Sequence, residues 1–475
     1  MIHCRYLHGR IVDRVPMSAS ARCDRAATDR IAARVGSVRR QPVSPRVTRS
    51  ARRHAGDTRG APALDFTGPA RLLIGMNGIT AGEFPTRFLR DDGWRTATAN
   101  ERLVMDLLSR HGPASRADLA RWTGLAPHSI TRLVEPLLAR GLHGESAPVV
   151  AGRGKPATRI SLAGDAAFSI GISVMTDAVS LVLLDLAGTI AGARSERLED
   201  SELHAACGQI GRMMADAIAG AGRDRATLIG IGVGVTGYFI GDGARLNPPR
   251  LLDSWALVPL DTSLAEAFGH KVWIDNDGNV AAIGEAMLGQ GREVRDFAYL
   301  YFSAGFGGGV ISDGQLLRGR HGNAGEFASI LPADWPQPNL EALRVAFSAA
   351  GVDYPDLHGM LGAFDPDHAA VDAWLDASMV SLDLVASSIS ATLDPGAIVL
   401  GGRLPRELAR RMADRITFTN PERRGHHRPG ARIVASMIDG DAAAIGAATL
   451  PLKAAFFPVS DGVPEKGSGD GDLSA

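Results

Sequence analysis

Four short runs carry residue types that could do chemistry. Asn276 and Asp277 stand together in IDNDGN, directly after the apolar run KVW, and Glu326 ends the polar stretch GNAGE. Carboxylates accept several hydrogen bonds and amides both donate and accept, so these side chains are candidate ligand-binding groups. The run SAGFGGG contributes Gly305, Gly307 and Gly308. Glycine lets backbone N–H groups approach an anion closely, but it also serves tight turns. In Gly152-Arg153-Gly154-Lys155-Pro156 two cations sit at the tip of a turn, a pattern suited to a nucleic-acid backbone or minor groove. The cysteines, Cys4, Cys23 and Cys207, lie far apart, which argues against a disulfide framework and a cysteine-based zinc site.

The elements that must position these residues fall into four stretches. Residues 1–95 lack sustained periodicity and read as a disordered, Arg-rich extension: residues 1–60 hold about fourteen arginines, about four acidic residues and no lysine. Two readings compete there, a basic arm on DNA phosphates and a start codon called too early, with Met76 as an alternative start; the second is favoured. A secretory signal is excluded by the missing apolar core with a cleavage site. Residues 96–162 change character. NERLVMDLLSRHG predicts a helix with Leu103, Val104, Leu107 and Leu108 on one face. SRADLARWTGL predicts a second, capped by Ser115 with Asp118 three residues on, with Leu119, Ala120 and Trp122 facing inward. APHSITRLVEPLLARGL predicts a third, with Pro127 at its first position and a kink at Pro136. Helix, glycine turn and helix is helix-turn-helix spacing. Two extended runs around the cationic tip then make a wing.

On that reading the N-terminal half of the third helix enters a major groove. His128, Ser129, Thr131 and Arg132 point outward while Ile130, Leu133 and Val134 pack inward. Ser115 and Arg116 at the start of the second helix, and Arg153 and Lys155 on the wing, complete the expected DNA-contacting set. Residues 96–160 carry a surplus of about four positive charges beside an acidic body, within a net charge of -1, as expected of a DNA-binding module attached to a domain with another task. From residue 165 to 452 apolar, glycine-bounded strands alternate with helical stretches, an α/β body of two similar lobes. Asn276 and Asp277 then fall at the C-terminal end of a strand, in a crevice between lobes. The competing reading is that they only cap a helix starting near Asn279. Residues 453–475 read as a disordered tail. No stretch is long and apolar enough for a membrane span, and the cytoplasm is the expected compartment.

The motifs LYFSAGFGGGVISDGQLLRGRHGNAGEF, IDNDGNVAAIGE and LDPGAIVLGGRL resemble the ROK family of repressors, open reading frames and sugar kinases, over about residues 168–452. The resemblance implies a two-lobed actin-like, sugar-kinase-like fold, here preceded by the winged helix of the family's repressor branch. It implies that Asp277 matches the kinases' catalytic base, now vestigial, and that Asn276 and Glu326 match sugar-binding positions. Glu341 falls where another family glutamate meets sugar. Ala328 and Ser329 stand where the kinases have glycine and histidine. The family's cysteine-rich zinc loop corresponds to ILPADWPQPNLEAL, which has no cysteine, so no zinc is expected.

The family's first phosphate loop would fall on the turn of SIGISVMTDAVSLVLLDLAG. There its aspartate is replaced by Ser173, its glycines by Met175 and Thr176, and its threonine by Asp177. Met175 is expected to crowd phosphates and Asp177 to repel them. The second loop keeps its glycines but replaces the Gly-Thr start with Ser303-Ala304. ATP is therefore not expected as a cofactor. The expectation is a sugar-responsive transcriptional regulator, read as a repressor, acting as a homodimer or homotetramer on operator DNA. The alternative is an ATP-dependent hexose kinase with an added DNA-binding domain.

Overall fold

The computed structural model describes residues 97–149, 157–240 and 245–458. The expectations for residues 1–95, for the wing-tip cations Arg153 and Lys155, and for the far C-terminus lie outside the described residues.

The described residues open with three helices, α1 (Ala99–His111), α2 (Arg116–Thr123) and α3 (Pro127–Ala139), followed by an antiparallel ribbon of β1 (His143–Val149) and β2 (Ala157–Leu162). Thr98 and Ser115 cap α1 and α2 with reciprocal capping boxes through Glu101 and Asp118, satisfying backbone N–H groups that a helix start leaves free. Val104, Leu108, Leu119, Ile130 and Val134 form the core of this module. Two expected inward positions differ. Leu103 is exposed, and the fully buried residue is Met105, because α1 turns a second apolar edge toward the rest of the chain. Trp122 is also exposed and lies against the ring of His111, 4.6 Å between centroids. α3 runs through Pro136 unbroken; the proline falls in the last turn, where the helix ends three residues later.

The first lobe is built from β3 (Phe168–Val174), β4 (Ala178–Asp185), β5 (Ile190–Arg197), α4 (Leu203–Ala221), β6 (Leu228–Val235), the short pair β7 (Tyr238–Phe239) and β8 (Leu246–Asn247), α5 (Leu260–Phe268) and β9 (Val272–Asn276). Helix α6 (Asp277–Leu288) leads to the second lobe. This holds β10 (Phe297–Phe302), β11 (Phe306–Ser312), β12 (Gln315–Leu316), α7 (Leu340–Ala349), α8 (Leu357–Gly362), α9 (Ala369–Leu393), β13 (Ala397–Gly402), α10 (Arg406–Ala413) and β14 (Arg432–Ala435). Helix α11 (Ala442–Phe456) closes the chain.

The two sheets repeat one topology. In the first the order is β5-β4-β3-β6-β9, antiparallel through β3 and parallel beyond it. In the second it is β12-β11-β10-β13-β14 with the same switch at β10. β3 and β4 are buried along their whole length, as near-continuous apolar runs predict for strands covered on both faces. α6 and α11 pack tightly against each other, since a Cβ on Gly446 of α11 would collide with the Val280 carbonyl oxygen. α11 continues past Leu452, and Phe456 and Phe457 are buried. The tail expected from residue 453 thus begins as helix and contributes aromatic rings to the core. Among the described residues no helix is long and apolar enough to cross a membrane.

Candidate functional site

β9 ends at Asn276 and α6 starts at Asp277, so both residues sit where a parallel strand delivers its C-terminal end into a crevice. Asn276 does cap α6: its Oδ1 accepts from the N–H groups of Gly278 (2.8 Å) and Asn279 (3.1 Å). Its Nδ2 donates to the Gly237 carbonyl at 2.6 Å, leaving one amide proton uncommitted. Capping and cavity lining coexist, because Asn276 and Asp277 both border a cavity of ≈ 290 Å³ together with Glu326.

Asp277 is buried. Its Oδ2 accepts from Thr236 Oγ1 at 2.7 Å and its Oδ1 from the Gly278 N–H at 2.9 Å. Burial outweighs these bonds and pushes its pKa up to about 6. Burial first, and the Asp277 charge second, also raise Glu326. Three glycines let these carboxyls meet. A Cβ on Gly278 would stand 2.8 Å from the Gly308 carbonyl oxygen, a Cβ on Gly325 2.7 Å from it, and one on Gly308 would strike Tyr299. Backbone approach this close needs residues without side chains. Asn323, three residues before Glu326, ties the loop to the first lobe: its Oδ1 accepts from the Phe239 N–H at 2.7 Å and its Nδ2 donates to the Phe239 carbonyl at 3.0 Å.

Gly305, Gly307 and Gly308 all border the cavity; Gly308 also packs against β10, while Gly305 and Gly307 have open space where a side chain would be. Ser329 and Glu341 are not brought to the cavity. Ser329 is exposed beyond the turn that follows Glu326, and Glu341 pairs with Arg344 on α7. Thr236 and Tyr301 border the cavity and were not singled out from sequence; Ser303, read there only as a change in the second phosphate loop, borders it too. The hydroxyls of Tyr301 and Ser303, in the otherwise apolar stretch LYFSAG, were the available signal.

The hairpin turn between β3 and β4 differs from expectation. Met175 points into the core, 1% exposed, so it crowds no phosphate space. Ser173 is buried, with no hydrogen-bond partner for its Oγ. Asp177 is engaged rather than merely repulsive. Arg403, on the loop after β13, holds both its oxygens at 2.7 and 3.0 Å, and the His358 N–H adds a third bond at 2.8 Å. Both partners are about nine-tenths buried. A carboxylate from one lobe is thereby fixed to a guanidinium of the other, in the bidentate geometry Arg favours for carboxylate or phosphate.

On the N-terminal module, His128, Thr131 and Arg132 are exposed on one face of α3, with Ser129 half-buried beside them. Ser115 is engaged as the α2 cap. Arg116 is drawn into pairs with Glu135 and Glu145 at 2.9 and 3.0 Å.

Residues 169–338 match the model of the ROK family. These residues form a ROK family domain. An uncharacterized protein of Sinorhizobium fredii is 29% identical over 364 residues, covering 75% of this chain and 92% of that protein. The xylose repressor of Bacillus subtilis is 28% identical over 228 residues, 48% of this chain and 59% of the repressor, so the match spans about three fifths of that relative. A crystal structure described as a ROK family transcriptional regulator, homolog of the E. coli MLC protein, superposes with a TM-score of 0.54 at 21% identity, covering 75% of this chain and 95% of that one. That likeness establishes a shared fold around the ROK domain.

Proposed function

We propose that this ROK chain is a sugar-responsive, DNA-binding transcriptional regulator that acts as a repressor. Residues 96–162 serve as a winged helix on operator DNA, and residues 165–452 as the sensor. The observation that carries the reading is a contrast: one cavity gathers Asn276, Asp277 and Glu326, while in the turn that matches the first phosphate loop Asp177 is paired with Arg403. The repressor name of the Bacillus subtilis relative supports it. On DNA, His128, Ser129, Thr131 and Arg132 face the major groove, and the wing cations Arg153 and Lys155 approach the minor groove or backbone. A homodimer or homotetramer on an inverted repeat follows from matching protein two-fold symmetry to a palindrome. Sugar favours one lobe arrangement and so changes operator affinity.

The second reading, an ATP-dependent hexose kinase, rests on Asp277. A carboxyl raised to about 6 is suited to take a proton from a sugar hydroxyl. Against it, the Asp177 carboxylate occupies the guanidinium that an incoming phosphate would have to win. The test is fluorescence anisotropy of the full chain on the DNA upstream of its own coding sequence, at fixed salt, with and without a panel of sugars. Tight, competitor-resistant binding released by one sugar supports the regulator. A Glu326→Ala variant should bind that DNA with unchanged affinity and ignore the sugar; a normal response would remove Glu326 from the site. Sugar-dependent ADP formation by the wild-type chain would favour the kinase.

A further inference from the structure

Among the described residues that border the cavity, Tyr301 carries a hydroxyl that is buried without a partner. Tyr301 stands near the end of β10, 3% exposed, and borders the cavity, yet its hydroxyl has no hydrogen-bond partner. Its flanking positions on the neighbouring strands are Gly307 on β11 and Gly401 on β13. Tyr299, two residues earlier on the same strand face, shows the contrast: its hydroxyl accepts from the Gly402 N–H at 2.9 Å. A buried hydroxyl without a partner costs the desolvation of that group, so an orphan at a cavity wall points to an occupant that completes it.

The other walls say what kind of occupant. Asp277 and Glu326 border the cavity, and among the described residues no Lys, Arg or His does. An ionised carboxylate only accepts, whereas a ligand hydroxyl both donates and accepts. A ligand hydroxyl that gives its proton to Asp277 leaves its own oxygen needing a donor. Burial, and after it the Asp277 charge, holds the Tyr301 phenol well above its ordinary range, so the phenol keeps its proton to donate.

Resting on the sugar-sensing reading, we propose that Tyr301 is a specificity-determining residue of this cavity. Its Oη–H donates to the oxygen of one ligand hydroxyl whose proton goes to the Asp277 carboxylate. The ligand is a polyol with that hydroxyl free, and a deoxy analogue at that carbon is rejected.

The experiment uses the full chain as wild type, Tyr301→Phe and Asp277→Asn. D-xylose, D-glucose and N-acetyl-D-glucosamine are titrated by calorimetry, then the monodeoxy analogues of whichever binds, and melting is recorded without ligand. Tyr301→Phe should bind the sugar about ten-fold more weakly, the equivalent of about 1.4 kcal/mol. It should also lose the wild type's discrimination against one deoxy analogue only. Its ligand-free melting temperature should equal or exceed that of wild type, because the substitution deletes an unpaired buried hydroxyl. A Tyr301→Phe variant with wild-type affinity and discrimination, while Asp277→Asn abolishes binding, would overturn the role of Tyr301 and leave the cavity standing. A clear drop in its ligand-free melting temperature would mean that the hydroxyl already has a partner, and would also overturn it. If none of the three sugars binds the wild type, the sensing reading fails and takes this proposal with it.

Discussion

Asp277 and His143 are both buried, and burial pushes their titrations in opposite directions. The pKa of Asp277 rises from 3.8 to about 6, against the bonds from Thr236 and Gly278 and with the nearby Asp441 charge adding to the rise. His143 sits at the start of β1 with neither ring nitrogen hydrogen-bonded, and its pKa falls from 6.5 to about 4, Glu101 opposing the shift and Arg140 adding to it. The folded state binds the Asp277 proton more tightly than the unfolded chain does. That contribution to stability is full below 3.8 and is lost as pH rises through the window from 3.8 to about 6. The folded state binds the His143 proton less tightly, so its contribution is full above 6.5 and is lost as pH falls toward 4. Each shift is worth on the order of 3 kcal/mol, and across their shared window the two offset one another. Denaturant unfolding at a series of pH values should separate them. The stability of Asp277→Asn minus that of wild type should grow by roughly 3 kcal/mol between about pH 4 and pH 7. The same difference for His143→Leu should grow in the other direction, toward acid. Difference curves that stay flat in both variants would mean that neither group is perturbed by the fold.

The hairpin turn, the loop after β13 and the start of α8 are three elements joined by a single buried pair. Arg403 and Asp177 lie 226 positions apart and belong to different lobes. Removing one partner of a buried pair leaves an uncompensated charge, which costs about 3–5 kcal/mol, whereas replacing both with apolar side chains can be nearly neutral. Arg403→Ala should therefore lower unfolding free energy by about that amount, and Asp177→Leu combined with Arg403→Met should recover most of it. A loss in the double variant equal to the sum of the losses of Asp177→Leu and Arg403→Met made singly would show that the pair contributes no coupling. This element also marks the boundary of what the sequence discloses. Asn276 and Asp277 were placed at a strand's C-terminal end by the local pattern and Glu326 by the family resemblance, and all three border one cavity. The three-helix module was legible from its caps and period, down to the buried Ile130 and Val134. Met175 was not: a turn residue read against a phosphate loop faces the cleft, but here the side chain turns into the core. Arg403 carries no local signal, because its partner is set by the meeting of two lobes. Ser329 was placed by its spacing from Glu326 and Glu341 by counting across the stretch that matches the family's zinc loop, and neither borders the cavity.

At the scale of the whole molecule, the cavity and the N-terminal helices share a continuous packed route. α6 begins at Asp277 in the cavity, and its far end brings Met287 and Leu288 against Leu452 and Phe456 of α11. Met105 of α1, Leu137 of α3 and Leu142 join that same cluster, and the Arg102 guanidinium donates to the Phe457 carbonyl at 2.8 Å. A shift of α6 on ligand binding must be absorbed where those helices dock, since packed cores rearrange between discrete states rather than deform smoothly. If sugar weakens operator binding through this route, the coupling is an equilibrium quantity and must be reciprocal. A sugar that lowers operator affinity by a given factor will itself bind the operator-loaded protein more weakly by the same factor, expected at roughly 5- to 150-fold. Anisotropy titrations of operator at saturating and zero sugar give the first number. Calorimetry of sugar into free and operator-bound protein gives the second. Agreement within about two-fold is expected. Phe456→Leu, at the docking cluster and remote from the cavity, should leave sugar affinity of the free protein within about two-fold while shrinking both factors together. Shrinkage of one factor alone would contradict linkage, and full coupling in the variant would move the route away from α11.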